Sequence, residues 1–132
     1  MRPPAPGAKA TLTVVVGEGM LARFDDEVVH PVYGTAALVR HVEQVSRDLL
    51  VPYLAPGEEG VGAELSLRQH APVPLGGRVE LTATVTAATA SRMRTAVQAR
   101  HGGRLVASAT FTQVVVERTA FRTRAGLPAE AT

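Results

Sequence analysis

The hydrophobic pattern separates one helical segment from several extended ones. Between residues 35 and 50 the apolar side chains Leu38, Val42, Val45 and Leu49 recur at the spacing of an amphipathic helix. Pro52 and a glycine-rich loop at residues 55–60 end the segment. A turn at His30-Pro31 precedes it, because proline disfavours the helical region for the residue before it. We predict one long helix of roughly 15–18 residues, starting at Thr35.

Most of the remaining chain alternates between apolar and polar side chains, which is the period of a half-buried strand. The predicted strands cover residues 9–16, 61–69, 78–88, 91–101 and 104–117, with a short extended piece at residues 20–24. In the last strand we expect one face to hold Leu105, Ala107, Ala109, Phe111 and Val115. Short turns join the last four strands, so neighbouring strands should be antiparallel.

This order of elements predicts an α+β domain in which a curved antiparallel sheet wraps around one long central helix. Residues 1–132 should form a single domain, with a loose proline-rich lead-in at residues 1–8 and a polar tail at residues 119–132. Such a sheet leaves an apolar face and an edge strand to be covered. A homodimer is therefore expected.

Composition excludes several classes of function. The chain has no cysteine, and His30, His41 and His101 lack metal-ligand spacing, so we expect no metal site. The motif Gly17-Glu18-Gly19 lacks the third glycine of a dinucleotide site, and we expect no cofactor. No apolar run is long enough for a membrane span or a signal peptide, so we expect a cytoplasmic protein with no membrane partner.

Charge is distributed unevenly along the chain. Residues 66–132 carry nine arginines and three acidic residues, against five basic and nine acidic residues before them. The basic half could meet phosphates, or it could be a set of solvated strand faces. No aromatic side chains interleave the arginines, and we expect no nucleic-acid partner.

Thr35 and Glu43 are the first candidates for chemistry. They are eight residues apart, slightly more than two helical turns, so both can lie near one stripe and face one pocket. A carboxylate there can act as a general base or nucleophile. Alternatively, Thr35 caps the helix, and Glu43 is an exposed partner of Arg40 or Arg47.

Gly62 begins a predicted strand after the glycine-rich loop. Glycine lets a ligand approach the backbone closely, so the Gly62 N–H could polarise a carbonyl group. The alternative is that Gly62 is present only because the turn before the strand requires a glycine.

Two motifs resemble a known family. Tyr33-Gly34-Thr35 with Glu43, and the sequence VPYLAPGE at residues 51–58, are similar to the fluoroacetyl-CoA thioesterase-like subgroup of the hot-dog-fold thioesterases. The similarity runs from about residue 33 to 121. It implies a hot-dog fold and a homodimer, or a dimer of dimers, with active sites at the subunit interface. It also implies an acyl-CoA or acyl-carrier substrate and basic residues that hold the CoA phosphates.

The resemblance assigns roles to Thr35 and Glu43, and it makes Gly62 the donor of an amide to the thioester carbonyl. The chain departs from the subgroup seven residues after this glycine, where relatives place a catalytic histidine and this chain has Gln69. His70 follows it. Strand alternation puts Gln69 on the face of the leucines before it and His70 on the other face, unless a bulge intervenes. We keep both as candidates.

Gln113 is a second departure, at a position where relatives often carry arginine. It shares a face with Phe111 and Val115, so it should be buried and hydrogen-bonded, and we expect it to bind substrate. An amide can orient a thioester or a water molecule, but it cannot be a general base.

The sequence thus predicts a thioester hydrolase for a small acyl group. In this reading Glu43 activates water or attacks the carbonyl, Thr35 positions the water or receives the acyl group, and Gln69 orients the substrate. The alternative is a catalytically weak or inactive hot-dog protein that binds an acyl thioester or another small hydrophobic ligand. A dehydratase is less favoured, because no Asp/His pair lies at the helix entrance.

Overall fold

The predicted helix is the centre of the fold. In the computed structural model, which describes residues 1–130, helix α1 spans Thr35–Leu50. Its inward side chains Leu38, Val42 and Val45 are almost completely buried. Each such aliphatic side chain stabilises the fold by about 1.5–3 kcal/mol relative to exposure. The hydrophobic stripe therefore fixes how the helix lies on the sheet.

Residues 1–130 contain seven strands and a second, short helix. The strands are β1 (Lys9–Val15), β2 (Leu21–Phe24), β3 (Glu27–Tyr33), β4 (Glu58–Gln69), β5 (Arg78–Ala88), β6 (Arg92–His101) and β7 (Arg104–Glu117), and helix α2 is Arg118–Arg124. Five strands form one antiparallel sheet in the order β1-β5-β6-β7-β4, while β2 and β3 form a separate hairpin. The predicted α+β class, one helix against an antiparallel sheet, is confirmed.

The inner face of the sheet packs on α1. On β5 the alternating residues Val79, Leu81, Ala83 and Val85 are at most 1% exposed, as the sequence pattern predicts. Strand β4 lies at the edge of the sheet, and among residues 1–130 it pairs only with β7. One long side of β4 is therefore open, next to the helix.

Strand β4 contains a one-residue bulge at Ala63. Gly62 pairs with Gln113 and Glu64 pairs with Thr112, so Ala63 has no opposite residue. The extra residue shifts the alternation of faces by one position. As a result Gly62 and Gln69, an odd number of residues apart, both face α1.

A second bulge changes the expected face of β7. Ala99 pairs with Ala107 while Arg100 pairs with Leu105, which leaves Val106 as the extra residue. Val106 is 3% exposed, and Leu105 is only partly buried. The prediction that Leu105 shares the inner face is wrong, because the bulge reverses the alternation before Ala107.

Three further segments differ from the predicted elements. Strand β3 lies where only a turn was expected, and its proline is tolerated because a two-stranded hairpin consists of edge strands. Strand β4 begins at Glu58, inside the predicted loop. The first part of the predicted polar tail is helix α2, while residues 131–132 lie outside the described part of the chain.

The proline-rich lead-in is attached to the domain. Pro4 is buried, the Gly7 N–H donates to the Val85 carbonyl at 2.8 Å, and the Arg2 N–H donates to the Tyr53 carbonyl at 3.1 Å. The expectation of a loose segment at residues 1–8 is therefore wrong. Within residues 1–130, no helix has the length and apolar character that crossing a membrane requires.

Candidate functional site

A cleft lies between helix α1 and the open edge of β4. Its volume is about 270 Å³, and its lining residues are Arg40, Glu43, Gln44, Arg47, Gly60, Gly62, Phe111 and Gln113. Three of the predicted site residues, Glu43, Gly62 and Gln113, thus meet here. We name this space the carboxylate cleft.

Glu43 stands on the helical side of the carboxylate cleft. Its Oε2 lies 3.6 Å from the position that a Cβ atom would take on Gly62. Arg47 bonds instead to Glu59, with 2.7 Å between Nη1 and Oε1. Within the described residues Glu43 forms no ion pair, so its predicted alternative role as an arginine partner is not observed.

Gly62 lies so close to its neighbours that a side chain would not fit without movement. A Cβ atom there would be 3.0 Å from Phe111 Cζ. The amide of Gly62 also has a defined direction. The Arg118 N–H donates to the Gly57 carbonyl at 2.8 Å, so Gly57 and Arg118 form a hydrogen-bonded pair. Every second residue of β4 counted from Gly57 therefore turns its N–H to β7, and Gly62 is not one of them. Since alternate residues turn their N–H groups away from the partner strand, Gly62 directs its N–H toward the open edge.

Gln113 is buried, as predicted, with 3% of its surface exposed. Its Nε2 donates to the backbone carbonyl of Ser46 on α1 at 3.2 Å. The Ser46 hydroxyl lies 2.9 Å from the Thr95 hydroxyl, which donates to the Phe111 carbonyl at 3.3 Å. Sequence reasoning missed Ser46 and Thr95, for which the only signal is a hydroxyl on an otherwise apolar face.

Thr35 and Gln69 lie at the other end of the helix. The Thr35 hydroxyl donates to Gln69 Oε1. Gly34 occupies the N-cap position, and no side chain in the described part of the chain caps the helix. The alternative that Thr35 is the cap is therefore wrong. Both residues line a second cleft of about 340 Å³, which also contains Tyr33 and which we name the amide cleft.

His70 borders the amide cleft, but its imidazole turns to the outer face of the sheet. His70 Nε2 lies 2.9 Å from the hydroxyl of Ser108, which is paired with Arg68 on that face. The N–H groups of His70 and Ala71 both approach the Val106 carbonyl, at 2.7 and 3.3 Å, so the strand is irregular at this point. The irregularity does not bring the imidazole to Gln69.

The structure does not bring Thr35 and Glu43 together. Eight residues of helix correspond to about 12 Å along the axis, which is too far for the two side chains to act on one atom. Thr35 contacts Gln69, and Glu43 faces Gly62. The single chain therefore divides the predicted site into two clefts along the same helix and strand.

A tyrosine–histidine pair that sequence reasoning missed precedes the helix. The Tyr33 hydroxyl lies 2.5 Å from His41 Nδ1, and the Tyr33 N–H donates to the Val73 carbonyl at 2.8 Å. Burial raises the pKa of the Tyr33 hydroxyl well above its usual range. Burial and the nearby Arg40 charge lower the pKa of His41. A neutral His41 accepts a hydrogen bond from the Tyr33 hydroxyl at Nδ1, and this bond fixes the chain two residues before Thr35.

A larger cleft between β4 and α2, of about 510 Å³, contains none of the predicted site residues. Two of its arginines, Arg118 and Arg122, are bridged by Glu130, with N–O distances of 3.1 and 3.8 Å. No group of metal-ligating side chains occurs among residues 1–130. We therefore place the candidate site at the carboxylate cleft, which combines a carboxylate that forms no ion pair within residues 1–130 with an amide that points to the open strand edge.

Comparisons with known proteins agree with this fold. A hypothetical protein from Thermus thermophilus, described as a thioesterase superfamily member, is 31% identical, with a TM-score of 0.91 over 96% of this chain and 93% of that one. A hot-dog-like protein from Thermanaerovibrio acidaminovorans is 22% identical, with a TM-score of 0.85 over 92% and 90% of the two chains. The fold is thus the hot-dog fold, and the class of protein is a thioesterase.

The family can be stated more narrowly. The family model described as fluoroacetyl-CoA-specific thioesterase matches residues 16–119, and the chain belongs to that family. The fluoroacetyl-CoA thioesterase FlK itself is 23% identical, with a TM-score of 0.86 over 96% of this chain and 98% of that one. A search of curated proteins gave no match. The predicted resemblance is confirmed.

Proposed function

We propose that the protein hydrolyses the thioester of a small acyl group, with Glu43 as the general base. The observation that carries this proposal is the position of the Glu43 carboxylate beside Gly62, whose N–H points to the open edge of the strand. Glu43 takes a proton from water as the water oxygen attacks the thioester carbonyl. The C–S bond then breaks, and the thiolate leaves and is protonated.

Gly62 supports this step by stabilising the oxyanion. Its N–H can donate to the carbonyl oxygen as negative charge develops there, an interaction worth about 10²–10³ in rate when the donor is well placed. Gly62 is exposed, and because it has no side chain its backbone is open to a ligand. The amide and the carboxylate thus approach one small volume from opposite sides.

Coenzyme A is the proposed carrier of the acyl group, although an acyl-carrier protein would present the same thioester. A variant of FlK has been solved with acetyl-CoA, and another with fluoroacetate and CoA. In this chain Arg40 lines the carboxylate cleft, and so does Arg47, which is paired with Glu59. Such side chains suit the phosphates of CoA.

We further propose a homodimer that joins the two clefts. Strand β4 is 12 residues long and open along one side, and exposed edges of this kind are normally covered. A two-fold axis near this edge would bring Thr35 and Gln69 of one subunit toward Glu43 and Gly62 of the other. Within its own subunit Thr35 does not act as a nucleophile, because its proton points to an amide oxygen that cannot act as a base.

The substitution Glu43→Gln tests the proposal. Loss of the base should reduce kcat by about 10²–10⁴, with little effect on folding, since Glu43 is exposed and makes no ion pair in the described chain. The measurement is thiol release from a panel of short, branched and aromatic acyl-CoAs. Asp48→Asn is the matched control, because Asp48 is a carboxylate on the same helix that does not itself line the cleft.

Turnover that is equal in Glu43→Gln and the wild type would remove Glu43 from the mechanism. A second candidate function, an acyl-thioester binder with little activity, is favoured by the two glutamines, since neither Gln69 nor Gln113 can transfer a proton. Thermal stabilisation by acyl-CoAs without thiol release would identify a binder. Robust turnover would exclude that function.

A further inference from the structure

The side-chain amide of Gln113 is held in one orientation. Its Nε2 donates to the carbonyl of Ser46, which is only an acceptor. The flipped amide would place two oxygens against each other, so the observed orientation is the favourable one. The Ser46 and Thr95 hydroxyls hold this part of the helix against the sheet.

The oxygen of Gln113 is therefore left to face the carboxylate cleft. Oε1 accepts no hydrogen bond in the described part of the chain, and no fully inaccessible side-chain nitrogen or oxygen there lacks a partner. Oε1 must then be reachable from the cleft that Gln113 lines. A Cβ atom on Gly60 would come within 3.1 Å of Oε1, so the absence of a side chain at Gly60 keeps this oxygen open.

This oxygen lies close to the proposed reaction centre. Gln113 is paired with Gly62 across the β4–β7 ladder, and both residues line the same cleft as Glu43. The acyl chain of a thioester polarised by Gly62 would therefore pass near Gln113. Phe111, buried beside it, adds an apolar wall.

We propose that Gln113 selects acyl groups that carry a hydroxyl or amino donor near the thioester carbonyl. This inference rests on the proposed thioesterase function and names its substrate class. A plain alkyl chain would remove water from Gln113 Oε1 and give it no partner, which costs binding energy. An O–H or N–H on the acyl chain would replace that water. Sites built to bind a donor discriminate against analogues that lack it.

Paired substrates test this selection. The kcat/KM of the wild type should be about tenfold or more higher for 2-hydroxypropionyl-CoA than for propionyl-CoA, or for 3-hydroxybutyryl-CoA than for butyryl-CoA. In Gln113→Met, which keeps the length and removes the acceptor, each ratio should fall to within about twofold of one. Gln113→Asn, which withdraws the oxygen, should also lose the preference.

Thr95→Val is the matched control. It removes hydrogen bonds from the same buried network, but Thr95 does not line the cleft, so the melting temperature should fall while the ratios stay unchanged. The inference is overturned if the wild type shows no preference for a donor, or if the preference survives both Gln113 substitutions.

Failure of the proposed function would look different. If the wild type releases thiol from none of these substrates, the thioesterase proposal fails, and calorimetry with non-hydrolysable thioether analogues of the same pairs decides the binding preference. Tighter binding of the hydroxylated analogue, lost in Gln113→Met, would support the inference. Equal binding of both analogues would overturn it.

Discussion

His41 shows how one buried contact can shape the site without touching it. Its Nδ1 accepts a hydrogen bond from the Tyr33 hydroxyl, and this bond joins the second turn of α1 to the segment before Thr35. Protonation of His41 would remove the acceptor. Burial and the charge of Arg40 oppose that protonation, so the folded protein holds the imidazole neutral below the usual pKa.

Stability should therefore decrease in mildly acidic solution. The unfolded chain binds a proton at His41 near the ordinary pKa of 6.5, while the folded chain binds it only at lower pH. Between these two pKa values the unfolded state holds more protons, so the free energy of unfolding falls as the pH falls. Urea unfolding between about pH 7.5 and 5.5 should show this decrease.

His41→Gln should flatten this pH dependence, because the glutamine oxygen can still accept from Tyr33 but does not titrate. His30→Gln on exposed strand β3 is the control and should leave the slope as it is. An unchanged slope in His41→Gln would show that this pair does not cause the decrease.

For single residues, the sequence predicts burial better than it predicts hydrogen-bond partners. Strand alternation was sufficient to predict that Gln113 is buried, and the outward turn of His70 agrees with the same rule. The partner of Gln113 is a backbone carbonyl 67 residues away, which no side-chain pattern records. The Tyr33–His41 bond also depends on how the turn meets the helix. The catalytic roles of Glu43, Thr35, Gly62 and Gln69 remain predictions.

Helix α2 depends on a cap formed by a carboxylate. Glu117 accepts from the backbone N–H groups of Thr119 at 3.1 Å and Ala120 at 2.6 Å. These two hydrogen bonds hold the pKa of Glu117 below its ordinary value of 4.5, and the bond from Ala120 has the larger effect. The cap is thus present above pH 4.5 and is lost as the pH falls through the lowered pKa.

Glu117→Ala should weaken α2 and leave the sheet intact, because these N–H groups lose their acceptor. The measurement is backbone amide hydrogen exchange, which should become faster at residues 118–124 and stay unchanged in β5 and β6. Glu80→Ala, which removes an exposed carboxylate from β5, serves as the control. Equal exchange of α2 in both variants would contradict the role of the cap.

Elements that face the core could be predicted, and elements without a buried face could not. The bounds of α1, β5 and β7 match the sequence pattern because each of these elements presents one apolar face to the core and one polar face to solvent. Helix α2 has no buried residue, and β3 is almost entirely exposed, so neither leaves a hydrophobic period. The bulges at Ala63 and Val106 escaped prediction because alternation alone does not reveal an inserted residue.

For the whole molecule, the hot-dog architecture followed from one helix, a series of short-linked strands and the family motifs. The homodimer remains a prediction. Its physical basis is the open edge of β4 and the division of the candidate residues between two clefts. The hydrophobic pattern of one chain does not show which residues of two subunits meet across a symmetry axis.

Mixed dimers test whether the clefts combine. Thr35→Ala and Glu43→Gln chains with different affinity tags can be co-expressed and the mixed dimers isolated. If Thr35 of one subunit works with Glu43 of the other, one of the two sites is intact, and the mixed dimer should have about half the wild-type activity. Light scattering should give the mass of a dimer or of a dimer of dimers.

Activity of the mixed dimer no greater than that of the parent variants would place both residues in one subunit's site. A monomer in solution would contradict the dimer itself. The parent homodimers provide the control, since each carries the same substitution in both sites.

The bulge at Ala63 also limits how β4 can change in length. Deleting Ala63 would make the ladder regular in the same register, so Gly60 and Gly62 would stay on the inner face. Deleting a second residue there would turn Gly60 and Gly62 outward and bring Glu59 and Val61 to the inner face. A side chain at position 60 would meet Leu50 Cδ2 at 2.4 Å, so the inner face has no room for the exchanged residues. Relatives and designed variants should therefore lose at most this one residue within this part of β4.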